Sequence, residues 1–311
     1  MTHLSMVWAT ALREHAGRPL EGEEGPYLAV SGKSLSFLDA LWGKQNAALP
    51  DIGAMIEAGK AVRFWADPHF GHDNIRHLAS RREFRDVDEM DCFIWGNVER
   101  AVSQSNLVVC LGDLALKNPF GIQQKLKAAF GEKHLTVVGN HDAKGAKPGA
   151  WAASGAFAAL AFSLPLELLR SWIAADHGER AGTIDWNVLP QRVDFGCSHW
   201  PLPADRLPAA SWVNLHGHIH NRQPGPLGIN CSVEAIGYQP KTLRELLTPD
   251  IFENLVLRAT NAMPKLAARK ARLTGYLSPE ERSLAAAATV PSGPDQERSL
   301  AEMATAVARD V

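Results

Sequence analysis

The sequence has few cysteines and none close together. Cys92, Cys110, Cys197 and Cys231 are scattered along 311 residues without a C-x-x-C pair. That spacing argues against a disulfide framework and points to buried thiols in a reducing compartment. Charge imbalance is also lacking: 32 Lys and Arg against 34 Asp and Glu leave a net charge of −2. This gives no global electrostatic basis for a nucleic-acid coat or a membrane-surface protein, although a local basic groove stays open. Arg13 and Glu14 arrive before any long apolar run, so no secretory signal is expected. Only residues 149–166, 18 in a row without a charge, approach the length of a membrane span. Ala, Gly and Ser dominate that stretch and Pro165 closes it, and a span there would put the chemistry before and after it on opposite sides of a bilayer. The expectation is a buried helix followed by a strand, in a soluble, cytoplasmic protein. A hydrophobic content of 46% with 21% charged residues excludes wholesale disorder.

What is present is a repeated pattern. Five short apolar runs each end in polar, metal-capable residues. Ala61–Ala66 leads into Asp67-Pro68-His69, and Leu107–Leu111 into Gly112-Asp113. Leu135–Val138 leads into Gly139-Asn140-His141-Asp142, and Val193–Cys197 into Ser198-His199. Trp212–Leu215 leads into His216-Gly217-His218-Ile219-His220. Runs of four to six β-branched and aromatic residues bounded by Gly and Asp predict buried strands. Between the first two, Met90, Phe93, Ile94 and Val98 fall at helical spacing within 87–102, and 122–130 is also predicted helical. Strand–helix–strand alternation predicts an α/β layered fold with function on the loops at strand ends.

Asp67 and His69 stand two apart at a strand end, so extended geometry would turn both toward one ion, and His218 and His220 repeat the arrangement. Asp113 follows a glycine directly after a strand. Asn140 adds a carbonyl oxygen and His199 another imidazole. Two carboxylates, one amide and four imidazoles exceed the needs of one ion. They suit two borderline divalent ions bridged by a carboxylate. No thiolate joins the set, which disfavours a closed structural zinc site. Each element alone is an ordinary turn or surface histidine. Five in order, each after a predicted strand, are not.

In these motifs the chain resembles the calcineurin-like metallophosphoesterases, whose pattern of D-x-H, G-D, G-N-H-D, S-H and G-H-x-H stands here as Asp67–His69, Gly112–Asp113, Gly139–Asp142, Ser198–His199 and Gly217–His220. It is similar in particular to a bacterial and phage subgroup of small phosphoesterases, through His69–Ile75, Glu89-Met90-Asp91, Ser198–Pro201 and Asn230–Glu234. Pro68 departs from the small residue usual at its position. The resemblance covers about residues 61–245. It leaves 1–60 as an N-terminal extension of unknown role and 246–311 as a helical, Ala-rich C-terminal extension. It implies a four-layer α/β/β/α sandwich of two mixed sheets flanked by helices, not a simple doubly wound sheet. Asp67, His69 and His220 would hold one ion, Asn140, His199 and His218 the other, and Asp113 would bridge them. Mn is the first expectation for both, with Fe, Zn, Co or Ni as the others. The implied activity is hydrolysis of a phosphomono- or phosphodiester by in-line attack of a metal-bound hydroxide. His141 would act as general acid, oriented by Asp142; its other readings are a fifth imidazole ligand or a hydrogen-bond donor to one of the ligands.

The chemistry agrees with that allocation. Two ions about 3.5–4 Å apart lower the pKa of bound water toward neutrality and clamp phosphoryl oxygens, which leaves an acid for the departing alkoxide as the remaining need. His72, Asn74 and Arg81 are candidate substrate contacts, with Arg82 and Arg85 as further phosphate partners or plain surface charges. His216 is a candidate support for the histidines after it, and Asn97 either faces the site or packs. Lys265, Arg269, Lys270 and Arg272 form either a nucleic-acid stripe or a solvated helix face. The tail repeats Glu-Arg-Ser-Leu-Ala at 281–285 and 297–301. It reads as a self-packed segment, or as a homo-oligomer contact through one apolar helix face. A metallo-β-lactamase-type hydrolase would need an aspartate where Asn221 stands. The alternative outside catalysis is a scaffold of the same fold that binds a protein partner; such proteins tend to lose ligands, and none is missing here.

Overall fold

Residues 3–15, 31–44 and 50–274 are described in the computed structural model. All five predicted strands form, in an α/β architecture with two mixed sheets and, among the described residues, ten α-helices. The first sheet places β1 (Val62–Trp65), β2 (Leu107–Cys110), β3 (His134–Val137) and β4 (Ala156–Phe157) in parallel, in the order β4-β3-β2-β1. A short antiparallel strand, β9 (Lys241–Thr242), closes the β1 edge. The second sheet has the order β5 (Leu160–Pro165), β6 (Arg192–Cys197), β7 (Trp212–His216), β8 (Gly228–Asn230), with only β5 antiparallel to its neighbour.

Strands β2, β3 and β7 are buried at every position, as continuous Val/Leu runs in parallel sheets require. Phe64 of β1 stacks on Phe162 of β5 at 6.0 Å, and Phe162 on Phe195 of β6 at 5.2 Å, so one aromatic column joins the sheets. The register aligns the C-terminal ends of the strands. Trp65 pairs with Cys110 and Cys110 with Thr136 in one sheet; Cys197 pairs with Leu215 and His216 with Asn230 in the other. A bridge between Ala66 and Ser232 ties the two ends together. Every motif singled out above follows one of these ends directly.

The helices are locally well specified. α5 (Val87–Ser103) starts at Asp86, whose carboxylate accepts from the Glu89 N–H while Glu89 accepts from the Arg85 N–H. Its buried face is Met90, Ile94, Asn97, Val98, Ala101 and Val102. α6 (Pro119–Phe130) begins with Pro at its first position and ends at Gly131. The uncharged stretch resolves into a helix and strands, α7 (Pro148–Ala153), β4 and β5, as expected, but α7 is not a buried helix: only its Trp151 is buried. A capping box between Thr242 and Glu245 opens α9 (Leu243–Leu246).

The described helices of the N-terminal extension pack within the same unit as the strands. Met1–Val256 forms one compact unit. Within it, α1 (His3–His15) packs on β5 and β6, α2 (Gly32–Trp42) on α7, and α3 (Ile52–Glu57) on β5 and β1. Trp8 of α1 is fully buried and stacks on Trp212 at 5.4 Å with ring planes 6° apart. It lies on Gly196, where an added Cβ would come within 2.2 Å of the indole. Only glycine at 196 lets the helix seat. Truncating Trp8 to Ala should therefore lower stability by about 3–5 kcal/mol, read as an earlier denaturant midpoint of the whole unit; an unchanged midpoint would contradict this seating.

The second unit is Leu257–Val311. Its described part is the continuation of α10 (Pro249–Thr274), which carries the basic residues Lys265 to Arg272 on helix, as expected. The tail repeats lie outside the described residues. Among the described residues no helix is long and apolar enough to cross a membrane. All four cysteines are free thiols, and Cys110, Cys197 and Cys231 are buried.

Candidate metal centre

The loops after the aligned strand ends are stitched by backbone bonds. Asp67 N–H donates to Gly112 O at 3.0 Å, His69 N–H to Asp113 O at 3.2 Å, Gly217 N–H to His199 O at 3.0 Å and Val233 N–H to Ala66 O at 3.0 Å. Asp67, His69, Asp113, His218 and His220 all take left-handed backbone, with φ of 56°, 51°, 56°, 72° and 53°. Such conformations cost about 1–3 kcal/mol each for non-glycine residues and persist where surrounding structure over-determines them, commonly at functional sites. Gly217 and Gly139 permit two close approaches: an added Cβ would lie 2.3 Å from Asp67 Oδ2 at the first and 2.3 Å from Asp113 Oδ1 at the second.

Three overlapping groups of potential ligand atoms result, each within 4.8 Å: Asp67 with His69 and His220; His69 with Asp113 and His141; Asp113 with His199 and His218. Asp113 is shared by the last two. Its Oδ2 is 3.3 Å from His199 Nε2, 3.7 Å from His69 Nε2 and 3.8 Å from His141 Nε2. Asn140 joins through Oδ1, 2.9 Å from His199 Nε2, which is also 3.1 Å from His218 Nδ1. All seven expected ligands are thus brought together.

Asp67, His199 and His220 are each held through one atom, and several other polar atoms of the cluster are buried without a partner. Asp67 Oδ2 accepts from the His218 N–H and the Ser232 hydroxyl at 2.9 and 2.8 Å, whereas Asp67 Oδ1 is buried without a partner. His199 Nδ1 is fixed on Leu111 O at 2.9 Å and His220 Nδ1 on Glu234 Oε1 at 3.1 Å. Among the described residues, both nitrogens of His69, His218 Nε2 and His141 Nδ1 are also buried without hydrogen bonds. Buried unsatisfied polar atoms are rare, and this concentration fits bound cations.

The electrostatics agree. Burial, with the charge of His199 second, lowers His218 to about 3; burial likewise puts His69 well below the usual imidazole range, so both are neutral donors. Burial pushes the Asp67 carboxyl up against the pull of His199 and His220. At Asp113 burial acts upward too, but His199, His69 and His141 outweigh it and hold the carboxyl far below its usual range. His199, opposed by burial, is raised to about 9 by Asp113 and Asp67.

Several expected roles are corrected. Asp142 does not orient His141. Its carboxylate accepts from the N–H groups of Asp113, Gly139 and Leu114 at 2.8, 2.9 and 2.9 Å, so it shapes the loop that presents Asp113. His141 is held instead by its own backbone, whose N–H donates to Asp113 Oδ1 at 2.9 Å. Arg81 is no substrate contact: it is fully buried and bonded to Glu234, to Pro68 O and to Asp67 O. His216 supports no neighbouring histidine, since its Nδ1 sits on Gly217 O at 2.9 Å. Asn97 packs, donating to Tyr238 O at 3.0 Å. Arg82 and Arg85 are exposed, the latter paired with Asp86 at 2.8 Å. His72 does flank the cluster, half-buried, with its ring 5.5 Å from that of His69. Asn74 is exposed at the start of α4 (Ile75–Leu78), without a capping bond.

Sequence reasoning gave no role to two residues that matter here. Ser232 fixes the Asp67 carboxylate and Glu234 fixes His220. Their only signal was the run Asn230–Glu234, in which a glutamate follows apolar and small residues.

No family model, curated protein or solved structure matches this chain. The class the site itself defines is a protein with buried His/Asp clusters able to hold metal ions.

Proposed function

We propose that the chain is a metal-dependent phosphoesterase of the calcineurin-like type, with a dinuclear centre and that family's four-layer sandwich, acting on a phosphomono- or phosphodiester in the cytoplasm. The observation that carries this reading is Asp113 Oδ2, which lies within 3.7 Å of His69 Nε2 on one side and 3.3 Å of His199 Nε2 on the other. A carboxylate so placed suits the bridge between two ions. Asp67, His69 and His220 would complete one position, and Asn140, His199 and His218 the other. Two divalent ions, Mn first among Mn, Fe, Zn, Co and Ni, supply when bound a water acidified toward neutral pH and charge to neutralise the phosphoryl oxygens.

The chain's own residues do the rest. His69 and His218 offer uncharged nitrogens, and the fixed outer atoms of Asp67, His199 and His220 keep their inner atoms pointed at the ions. His141, partly exposed at the cluster's edge, is the group placed to give a proton to the leaving oxygen. Burial lowers its affinity for that proton, which eases the transfer. His72, its ring 5.5 Å from that of His69, is a candidate contact for the ester at the cluster's edge.

The test is hydrolysis of a chromogenic phosphodiester beside the matching monoester, with Mn²⁺ and with chelator. Chelator-sensitive turnover of either ester is expected, and which of them reacts sets the substrate class. No turnover of either by protein carrying two ions would count against a general phosphoesterase and favour a narrow-specificity enzyme or a scaffold.

A further inference from the structure

Behind His220 lies a polar arrangement that the hydrolytic chemistry does not use. Arg81, fully buried, donates from Nε to Glu234 Oε1 at 2.6 Å and from Nη1 to Pro68 O at 2.8 Å, and its Nη2 reaches Asp67 O. The same Glu234 oxygen is 3.1 Å from His220 Nδ1, and the Glu234 side chain is 5% exposed. Asn230 donates to His220 O at 2.6 Å and accepts from the Ser232 N–H and hydroxyl, and that hydroxyl also reaches Asp67. The segment 230–234 therefore grips His220 by ring and backbone and Asp67 by its carboxylate, while Arg81 ties the segment to the carbonyls of Asp67 and Pro68. No hydrogen bond of this kind reaches His199 or Asn140: among the described residues, the outer nitrogen of His199 is bonded to the Leu111 carbonyl at 2.9 Å, and a carboxylate oxygen, Asp67 Oδ1, stands off from it at 4.0 Å.

We propose that the Arg81–Glu234 pair is a positioning device for only one of the two ion sites, that of Asp67, His69 and His220, and sets its affinity independently of the other. The inference rests on the dinuclear reading. A carboxylate on the outer nitrogen of a ligating histidine fixes its tautomer and ring angle and raises its basicity; loss of such a partner typically costs 10–100-fold in metal affinity. Here one carboxylate does this while its own position is set by an arginine anchored on the backbone of a second ligand.

The experiment is calorimetric titration of the full chain with Mn²⁺ alone, for wild type, Glu234→Ala and Glu234→Gln, with Mn²⁺ electron paramagnetic resonance on the same samples. Wild type should bind two ions and give an exchange-coupled spectrum. Glu234→Ala should weaken one of the two steps by ~10–100-fold and leave the other unchanged, with an uncoupled six-line spectrum at one equivalent. Glu234→Gln keeps volume and an acceptor oxygen, so it should weaken the same step by less. A purely structural brace would lower the thermal midpoint and affect both steps alike. Two unaltered steps in Glu234→Gln, or equal weakening of both in either folded variant, would overturn the proposal. Should Glu234→Ala fail to fold, Glu234→Gln decides alone. Failure of the wild type itself to bind two ions would instead sink the dinuclear reading.

Discussion

Asp113→Asn should empty both ion positions at once and reduce turnover by on the order of 10³-fold or more. The substitution is nearly isosteric and keeps an oxygen for the His141 N–H, so the loop it anchors should survive. What it removes is the negative charge shared between His69 on one side and His199 on the other. Asp67 Oδ1 also lies 3.9 Å from His69 Nε2 and 4.0 Å from His199 Nδ1, but that His199 nitrogen is turned to Leu111 O, whereas Asp113 Oδ2 faces Nε2 of both rings. Ion charge is worth several kcal/mol of transition-state stabilisation, and each 1.4 kcal/mol is a factor of ten in rate. Metal analysis beside a thermal melt checks this. Two retained ions would show that Asp113 is not the bridge.

His141→Ala should act differently: both ions stay, and kcat falls by ~10²–10⁴. The tie between His141 and Asp113 runs through the backbone N–H, which alanine keeps, and the imidazole Nδ1 has no partner to lose. The loss should be smaller for esters with a nitrophenolate leaving group, which needs little protonation, than for alkyl esters, which need it fully. An acid must carry its proton, so the wild-type rate falls as pH rises through the His141 pKa, and the variant should lack that limb. If metal content drops instead, His141 is a ligand, as its grouping with His69 and Asp113 allows.

How much of this was legible in the sequence depends on how local each cause is. The five strands were legible because Val-Val and Leu-Val runs carry their burial in their own composition, and parallel register then aligned the motifs that follow them. The ligands were legible through spacing at strand ends. Arg81 was not: its partners Asp67, Pro68 and Glu234 come from both sheets' loops, and a lone arginine in an Arg-rich stretch carries no mark of burial. Asp142 beside His141 suggested a pair, yet its oxygens turned to amides 28 and 29 residues away. The first 60 residues carried no chemistry, and the fit of Trp8 onto Gly196 is a long-range event that neither residue announces.

Metal content of the intact chain, after loading with Mn²⁺ and removal of free ion, tests the central claim most directly. Two ions per chain, both lost on Asp113→Asn, is the result this account predicts. One ion or none, or two that survive that substitution, would contradict a carboxylate-bridged dinuclear centre.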